Sequence, residues 1–237
     1  MGNINTSLSK IDAKYLMAVS IDCVIFGYGE GKLKVLLIKS GIEPFIGKYA
    51  LIGDLVRQDE DPDAAAARVL KERTGIEDLY LEQVKAFGEP DRHPLGRVIT
   101  IAYYSLVKID QITRSIDKLP SDAKWFEVNE EIPELAFDHR FILLECYNRL
   151  KKQLREKPIG FSLLPKKFTL NQLQSLYETV LDLELDKRNF RRKLKSMDLL
   201  IDLNETQQDV AHRPAGLYSF NEKLFEEKNQ KGLHFVI

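Results

Sequence analysis

The stretch Asp61 to Gly75, DPDAAAARVLKERTG, places ionisable side chains at helical intervals and raises a question of metal chemistry. A site that holds magnesium against a diphosphate and activates water needs several carboxylates at i, i+3 and i+4 on one helical face. Glu72 supplies one such carboxylate, but Val69 and Arg73 stand at the neighbouring positions of that face. Valine neither ligates a cation nor takes a proton. A fixed guanidinium repels a dication by an energy on the order of kcal/mol at contact distance. These residues therefore predict no catalytic residue, no metal site and no cofactor.

A second constellation lies far downstream. Residues 187–195 read KRNFRRKLK, six basic side chains in nine positions without an acid. On a helix Arg188, Arg191, Arg192 and Lys195 fall at i, i+3, i+4 and i+7 and share a face. Phe190, Leu194 and Met197 share another, spaced to seat the helix on a core. Like-charge repulsion of roughly a few tenths of a kcal/mol per close pair would be relieved by an anionic partner. A solvated basic face is the alternative. Arg and Asn match guanine and adenine edges, so Lys187, Arg188, Asn189, Arg191, Arg192 and Lys195 are candidate contacts to double-stranded DNA. Arg213, in the loop from Asp209 to Gly216, is a candidate wing residue on backbone or minor groove.

The elements that must position these groups follow from pattern. Leu16–Phe26 and Leu33–Lys39 read as strands flanking Gly27-Tyr-Gly-Glu-Gly31, a hairpin with glycines at its turn. Asp61–Arg73 is a helix opened by Pro62 and Asp63 and closed by Gly75. Arg97–Val107 is a strand rich in β-branched and aromatic residues. Trp125-Phe126 opens another short segment. Phe141–Glu156 is helical, with Ile142, Cys146, Leu150 and Leu154 on one side. The mixture predicts an α/β (α+β) domain over residues 1–157. Pro158 and Gly160 then break the helix and begin a second domain, 158–237. There Thr169 caps a helix to about Leu181, with Gln172 completing a capping box and Phe168 stapling onto Leu173. Asp186 caps a second helix, Lys187 to about Met197, and Leu199–Leu203 and Leu217–Phe220 form two short strands. That order is a winged helix-turn-helix.

Composition agrees with a soluble protein: 237 residues, 44% hydrophobic and 30% charged. Residues 151–237 carry 16 Lys+Arg against 12 Asp+Glu, and the first 150 carry 19 against 24, so a basic back half follows an acidic front half. No apolar run approaches the roughly 18 residues of a membrane span, and Met1–Ser9 lacks the apolar middle of a signal peptide. A cytoplasmic location is expected, with Cys23 and Cys146 as buried thiols. The four histidines and two cysteines show no zinc-ligand spacing.

The first helix resembles the Nudix box, Gly, five residues, Glu, seven residues, then Arg-Glu-apolar-any-Glu-Glu-any-Gly-apolar. Glu60, Arg68, Leu70, Glu72, Gly75 and Ile76 agree with it, Asp54 replaces the first glycine, and Val69 and Arg73 replace two glutamates. With LLPKKFTLNQLQSLYETVL (Leu163–Leu181), LDKRNFRRKL (Leu185–Leu194), RPAGLYSF (Arg213–Phe220) and LAFDH (Leu135–His139), the chain is similar to the Nudix-related transcriptional regulators over nearly its whole length. The resemblance implies a Nudix-like sandwich that has lost hydrolysis, followed by a winged helix-turn-helix. It further implies a homodimer on a palindromic operator, modulated by a small effector in the Nudix domain.

One branch of that family senses ADP-ribose and regulates nicotinamide cofactor metabolism, and another regulates sugar use, arabinose included. The family's phosphate-handling segment resembles Arg-Asp-Pro-Arg-Gly, and here it is Arg92-His93-Pro94-Leu95-Gly96. The missing acid and arginine, together with overall similarity to the sugar branch, favour L-arabinose as effector and a repressor of sugar-utilisation genes. Lys39, Glu89, Asp91, His93 and Arg97 are the candidate effector contacts, polar groups beside an apolar wall. The alternatives are a regulator sensing ADP-ribose and an active ADP-ribose or nucleotide-sugar pyrophosphatase.

Overall fold

The computed structural model describes residues 15–94, 96–115, 119–130, 132–208, 213–230 and 235–237. The polar stretch Met1–Ser9, Leu95 and residues 209–212 of the wing loop lie outside the described residues.

Strand β1 (Ala18–Gly29) pairs antiparallel with β2 (Lys32–Lys39). Glu30 and Gly31 make the turn with φ of 54° and 72°, the double left-handed conformation of a tight hairpin. The glycine run thus divides its work differently from the expectation. Gly31 serves the turn, whereas Gly27 stays in the strand, where a Cβ would fall 2.5 Å from the Trp125 ring.

β1 also pairs in parallel with β6 (Val98–Lys108), from Ala18↔Val98 to Tyr28↔Lys108. Around this centre lie β3 (Tyr49–Ala50), β4 (Ile52–Leu55), β5 (Glu82–Phe87) and β7 (Lys124–Glu127). Alternation along β1 divides the core. Ile21, Cys23 and Ile25 meet helix α1 (Pro62–Thr74) through Ala65, Ala66, Val69 and Leu70. Val24 and Phe26 meet helix α3 (His139–Glu156) through Ile142, Leu143, Cys146 and Leu150. Helix α2 (Ile109–Ser115) follows β6. The result is a sheet sandwiched between helices. The two thiols are free and buried, and burial pushes that of Cys146 up to about 12.

Caps fix α1 as the sequence predicts. Asp61 accepts the Ala64 N–H at 2.8 Å, Pro62 occupies the first turn, and Gly75 closes the helix at φ 76°.

A 3₁₀ turn (Pro158–Leu163) leads to α4 (Leu170–Leu181), α5 (Lys187–Met197), β8 (Leu200–Thr206) and β9 (Gly216–Phe220), the winged helix-turn-helix expected. Pro158 and Gly160 end α3, but the connection is a packed seam. The α3 residues Leu150 and Leu154 join Phe161, Leu173, Leu176 and Tyr177 in one continuous core. At Gly160 a Cβ would lie 3.0 Å from Leu154, 3.1 Å from Leu176 and 3.2 Å from Tyr177. A final helix, α6 (Glu222–Gln230), escapes sequence patterning because none of its residues is fully buried. Among the described residues no helix is long and apolar enough to cross a membrane.

Candidate DNA interface and effector cleft

The helix-turn-helix is held by side chains of its first helix. Thr169 Oγ1 accepts the Gln172 N–H at 3.1 Å, and Gln172 Oε1 accepts the Thr169 N–H at 2.8 Å, a complete capping box. In the turn, Gln174 Nε2 donates to the Leu185 carbonyl and Glu178 Oε1 accepts the Leu185 N–H, both at 3.0 Å. Asp186 caps α5 by accepting from Asn189 N at 2.8 Å. Phe190, Leu194 and Met197 are buried, and the Phe190 ring lies 5.7 Å from that of Tyr177.

This anchoring exposes Lys187, Arg188, Asn189, Arg192 and Lys195. Lys187 and Arg188 stand at the positive end of the helix dipole, where the Asp186 cap supplies the compensating charge and no further acid follows in the first turn. Arg192 Nη2 donates to Asn189 Oδ1 at 2.9 Å, which pre-orients both side chains. Arg191 departs from the shared face. It is half-buried and donates to Asn171 Oδ1 of α4 at 2.8 Å. Arg213 is exposed at the end of the wing loop.

On α1 the ionisable groups neutralise one another. Arg68 reaches Glu60 at 2.5 and 2.8 Å, Glu72 at 3.0 Å and the Leu55 carbonyl at 3.0 Å. Arg57 donates to Glu72 at 3.1 Å, and Arg73 donates to Asp54 on β4 at 2.6 Å. The Arg68 hydrogen bond lowers the Glu60 carboxyl to about 2. Val69 is fully buried in the core between α1 and the sheet. A Nudix fold implies a divalent cation bound by carboxylates of this helix, and these residues do not fit one. Glu72 is held by two guanidinium groups, and the Arg73–Asp54 pair ties the helix to β4. Among the described residues no group of three His, Cys, Asp or Glu side chains is placed to hold a metal ion.

Four of the five expected effector contacts sit in the connection from β5 to β6. Glu89, Asp91 and Arg97 are exposed, with Arg97 donating to the Gly88 carbonyl at 2.6 Å. His93 is half-buried and stacks on Phe137 at 5.0 Å and 12°. Lys39 belongs to a different element, at the exposed end of β2 opposite Tyr49.

Behind this loop is a buried polar cluster that sequence reasoning passed over. The Arg92 side chain, 3% exposed, forks onto Asp138 at 2.6 and 2.9 Å and also donates to Thr100 Oγ1. Asp22, in the middle of β1, faces His139 Nε2 at 3.5 Å. His139 Nδ1 accepts the Leu51 N–H at 3.0 Å, so the neutral ring carries its proton on the nitrogen facing Asp22. Gly53 lets Asp22 fit, since a Cβ there would fall 2.1 Å from its carboxylate. Phe137 has a φ of 52°, a left-handed backbone that costs a bulky residue about 1–3 kcal/mol. Its ring meets Phe45 at 4.6 Å, His93 at 5.0 Å and His139 at 5.0 Å. The sequence signals were Asp22, a lone acid within the apolar run SIDCVIF, and FDH itself.

Burial lowers the pKa of His139 below its ordinary 6.5, against the pull of Asp22 and Asp138. A folded state that prefers the neutral ring keeps its full contribution above pH ~6.5 and loses it as pH falls towards the lowered value. Asp22 is raised by burial and works in the opposite sense at lower pH. Melting temperature is therefore expected to fall as pH drops from 7 through about 6, with a shallower fall in His139→Gln. Equal slopes for both proteins would remove His139 from this account.

A Nudix sandwich joined to a helix-turn-helix with a cationic second helix defines a DNA-binding protein built on a Nudix fold. The Nudix domain model matches residues 17–146, and the model of the NrtR DNA-binding winged helix domain matches residues 160–220. The chain is 33% identical over 205 residues to the "ADPR responsive transcriptional repressor NtrR" of Acinetobacter baylyi, covering 85% of this chain and 81% of that protein. Shewanella oneidensis NrtR, crystallised with a 27mer DNA, superposes with a TM-score of 0.71 at 30% identity over 85% of this chain and 93% of that one. Its Nudix domain complexed with ADP ribose gives 0.51 at 31% identity over 60% and 96%. An ADP-ribose pyrophosphatase of Methanocaldococcus jannaschii is 35% identical over 134 residues, 56% of this chain and 75% of the enzyme. The chain belongs to the NrtR family, a Nudix domain followed by a DNA-binding winged helix.

Proposed function

We propose that this protein is a transcriptional repressor that binds a palindromic operator as a homodimer through α5 and releases it when ADP-ribose enters the Nudix half. Residues 1–157 form the sensing part and 158–237 the DNA-binding part. The observation that carries the reading is α5 itself, seated by Phe190, Leu194 and Met197 and cationic on its outer side. Arg188, Arg192, Asn189, Lys187 and Lys195 contact DNA from that helix, Arg213 does so from the wing, and Arg191 mainly holds α5 to α4.

ADP-ribose replaces L-arabinose as the effector. The Acinetobacter relative is named for its response to ADP-ribose, and the Shewanella Nudix domain was crystallised with it. The loop bearing Glu89, Asp91, His93 and Arg97, with the Phe45–Phe137 rings, supplies an aromatic wall beside polar groups. The protein binds this ligand without cleaving it. The pyrophosphatase relative favours a hydrolase as the second reading, and Val69 and the Arg73–Asp54 pair oppose it.

Linkage makes the test direct, because ADP-ribose and operator must weaken each other's binding by the same factor. Fluorescence anisotropy on a duplex selected by the protein from random sequence is expected to show loss of binding with ADP-ribose and none with L-arabinose. Chelator should not alter the response, and magnesium should release no AMP. Indifference of DNA affinity to ADP-ribose refutes the sensing role, and AMP release at ordinary enzyme rates restores the hydrolase.

A further inference from the structure

A regulator of this kind must carry information from the cleft to α5, and the described contacts between the two halves are specific. Helix α3 begins against the β5–β6 loop. Asp138 precedes it and holds Arg92, and His139, its first residue, faces Asp22. Two turns along, the Tyr147 ring packs 5.9 Å from Phe26 of β1, and its hydroxyl donates to the Val180 carbonyl of α4 at 3.0 Å, with Asn129 Oδ1 at 3.1 Å. The neighbouring α4 residue Thr179 donates to the Gly31 carbonyl at 3.1 Å, in the hairpin turn of β1 and β2. Further along, Leu154 of α3 closes against Leu176 and Tyr177 over Gly160.

These contacts make α3 a continuous rod of about 27 Å, at about 1.5 Å per residue, with the Arg92–Asp138 and Asp22–His139 pairs at one end and the first helix of the DNA-binding unit along its side. Close-packed seams of this kind shift between discrete arrangements more readily than they deform. The seam also holds an unsatisfied polar group. The Tyr177 hydroxyl is buried and has no hydrogen-bond partner among the described residues.

We propose that Tyr147, with Thr179, is the positioning contact through which α3 reports an occupied cleft to the helix-turn-helix. Movement of Phe137, Asp138 and His139 against ligand displaces α3, the Tyr147–Val180 and Thr179–Gly31 bonds are exchanged, and α4 carries α5 out of its DNA-binding pose. This mechanism rests on the ADP-ribose-responsive reading above.

The test uses the full-length protein and measures three quantities for each variant: affinity for ADP-ribose, affinity for the selected duplex, and the ratio of duplex affinities without and with saturating ADP-ribose. In Tyr147→Phe and Thr179→Val the first two are expected within about threefold of the unmodified protein, while the ratio falls at least fivefold. Tyr103→Phe is the control for ordinary loss of a buried tyrosine hydroxyl, since Tyr103 bonds Asp63 of α1 in the core on the other side of the sheet from α3. It should keep the full ratio. A full ratio in both seam variants overturns the proposal, as does an equal fall in the control. If the unmodified protein itself shows no ratio, the effector reading fails first and takes the mechanism with it.

Discussion

Replacing Arg188 and Arg192 together with alanine is expected to weaken operator binding by about 30-fold or more, at about 1–3 kcal/mol for each lost base or phosphate contact. The melting temperature should be unchanged or slightly higher. Both side chains lie on the solvent side of α5, and Arg188 stands at the unfavourable end of the helix dipole, so their removal takes nothing from the core. If they touch phosphate, the slope of log affinity against log salt should fall by about 0.9 per contact. Anisotropy at several salt concentrations gives both numbers. Arg191→Ala provides the contrast. Its guanidinium is tied to Asn171 of α4, so the change should lower stability more than Arg188→Ala does. A double variant that binds operator normally would place the DNA on another surface.

Arg92→Met should have the largest effect in the Nudix half. The arginine is nearly sealed from water and has both arms of its fork on Asp138. Its loss leaves that carboxylate poorly solvated and removes a cation from the buried Asp22. Breaking such a pair costs about 3 kcal/mol, which for a chain of this size lowers the melting temperature by roughly 6–12 °C. ADP-ribose affinity should fall at least about tenfold, because the loop from Gly88 to Arg97 loses its anchor. Asp138→Leu added to Arg92→Met should cost less than the sum of the two single changes. An unshifted melting curve for Arg92→Met would mean the fork carries no load.

The sheet and both domains were legible because their signals are local. Apolar runs around a glycine turn mark β1 and β2, β-branched and aromatic residues mark β6, caps mark α1 and α4, and the apolar stripe of Ile142, Cys146 and Leu150 marks α3. The cluster around Arg92 was not legible, because Asp22, Arg92 and His139 come from distant parts of the chain and meet only through the pairing of β1 with β6 and with β4, beside which Leu51 holds His139. Exposed polar residues of the same loop were easier to suspect, yet Glu89, Asp91 and Arg97 remain in solvent while Arg92 does the holding. The recognition helix stood between these cases. Its cationic face follows from spacing, but nothing in the spacing separates Arg191 from Arg192. That distinction depends on where Asn171 of α4 lies.

The Arg73–Asp54 tie has a consequence beyond the chemistry it displaces. A carboxylate site filled by magnesium is occupied only as far as the supply of that ion allows. Here the junction is encoded in the chain, with its two side chains 47% and 39% exposed. Such a pair is weakened by bulk electrolyte, which screens half-exposed charges over about 8 Å at physiological strength. The Nudix half should therefore be indifferent to magnesium supply, and added salt should loosen it little, because Ala65, Ala66, Val69 and Leu70 also pack α1 on the sheet.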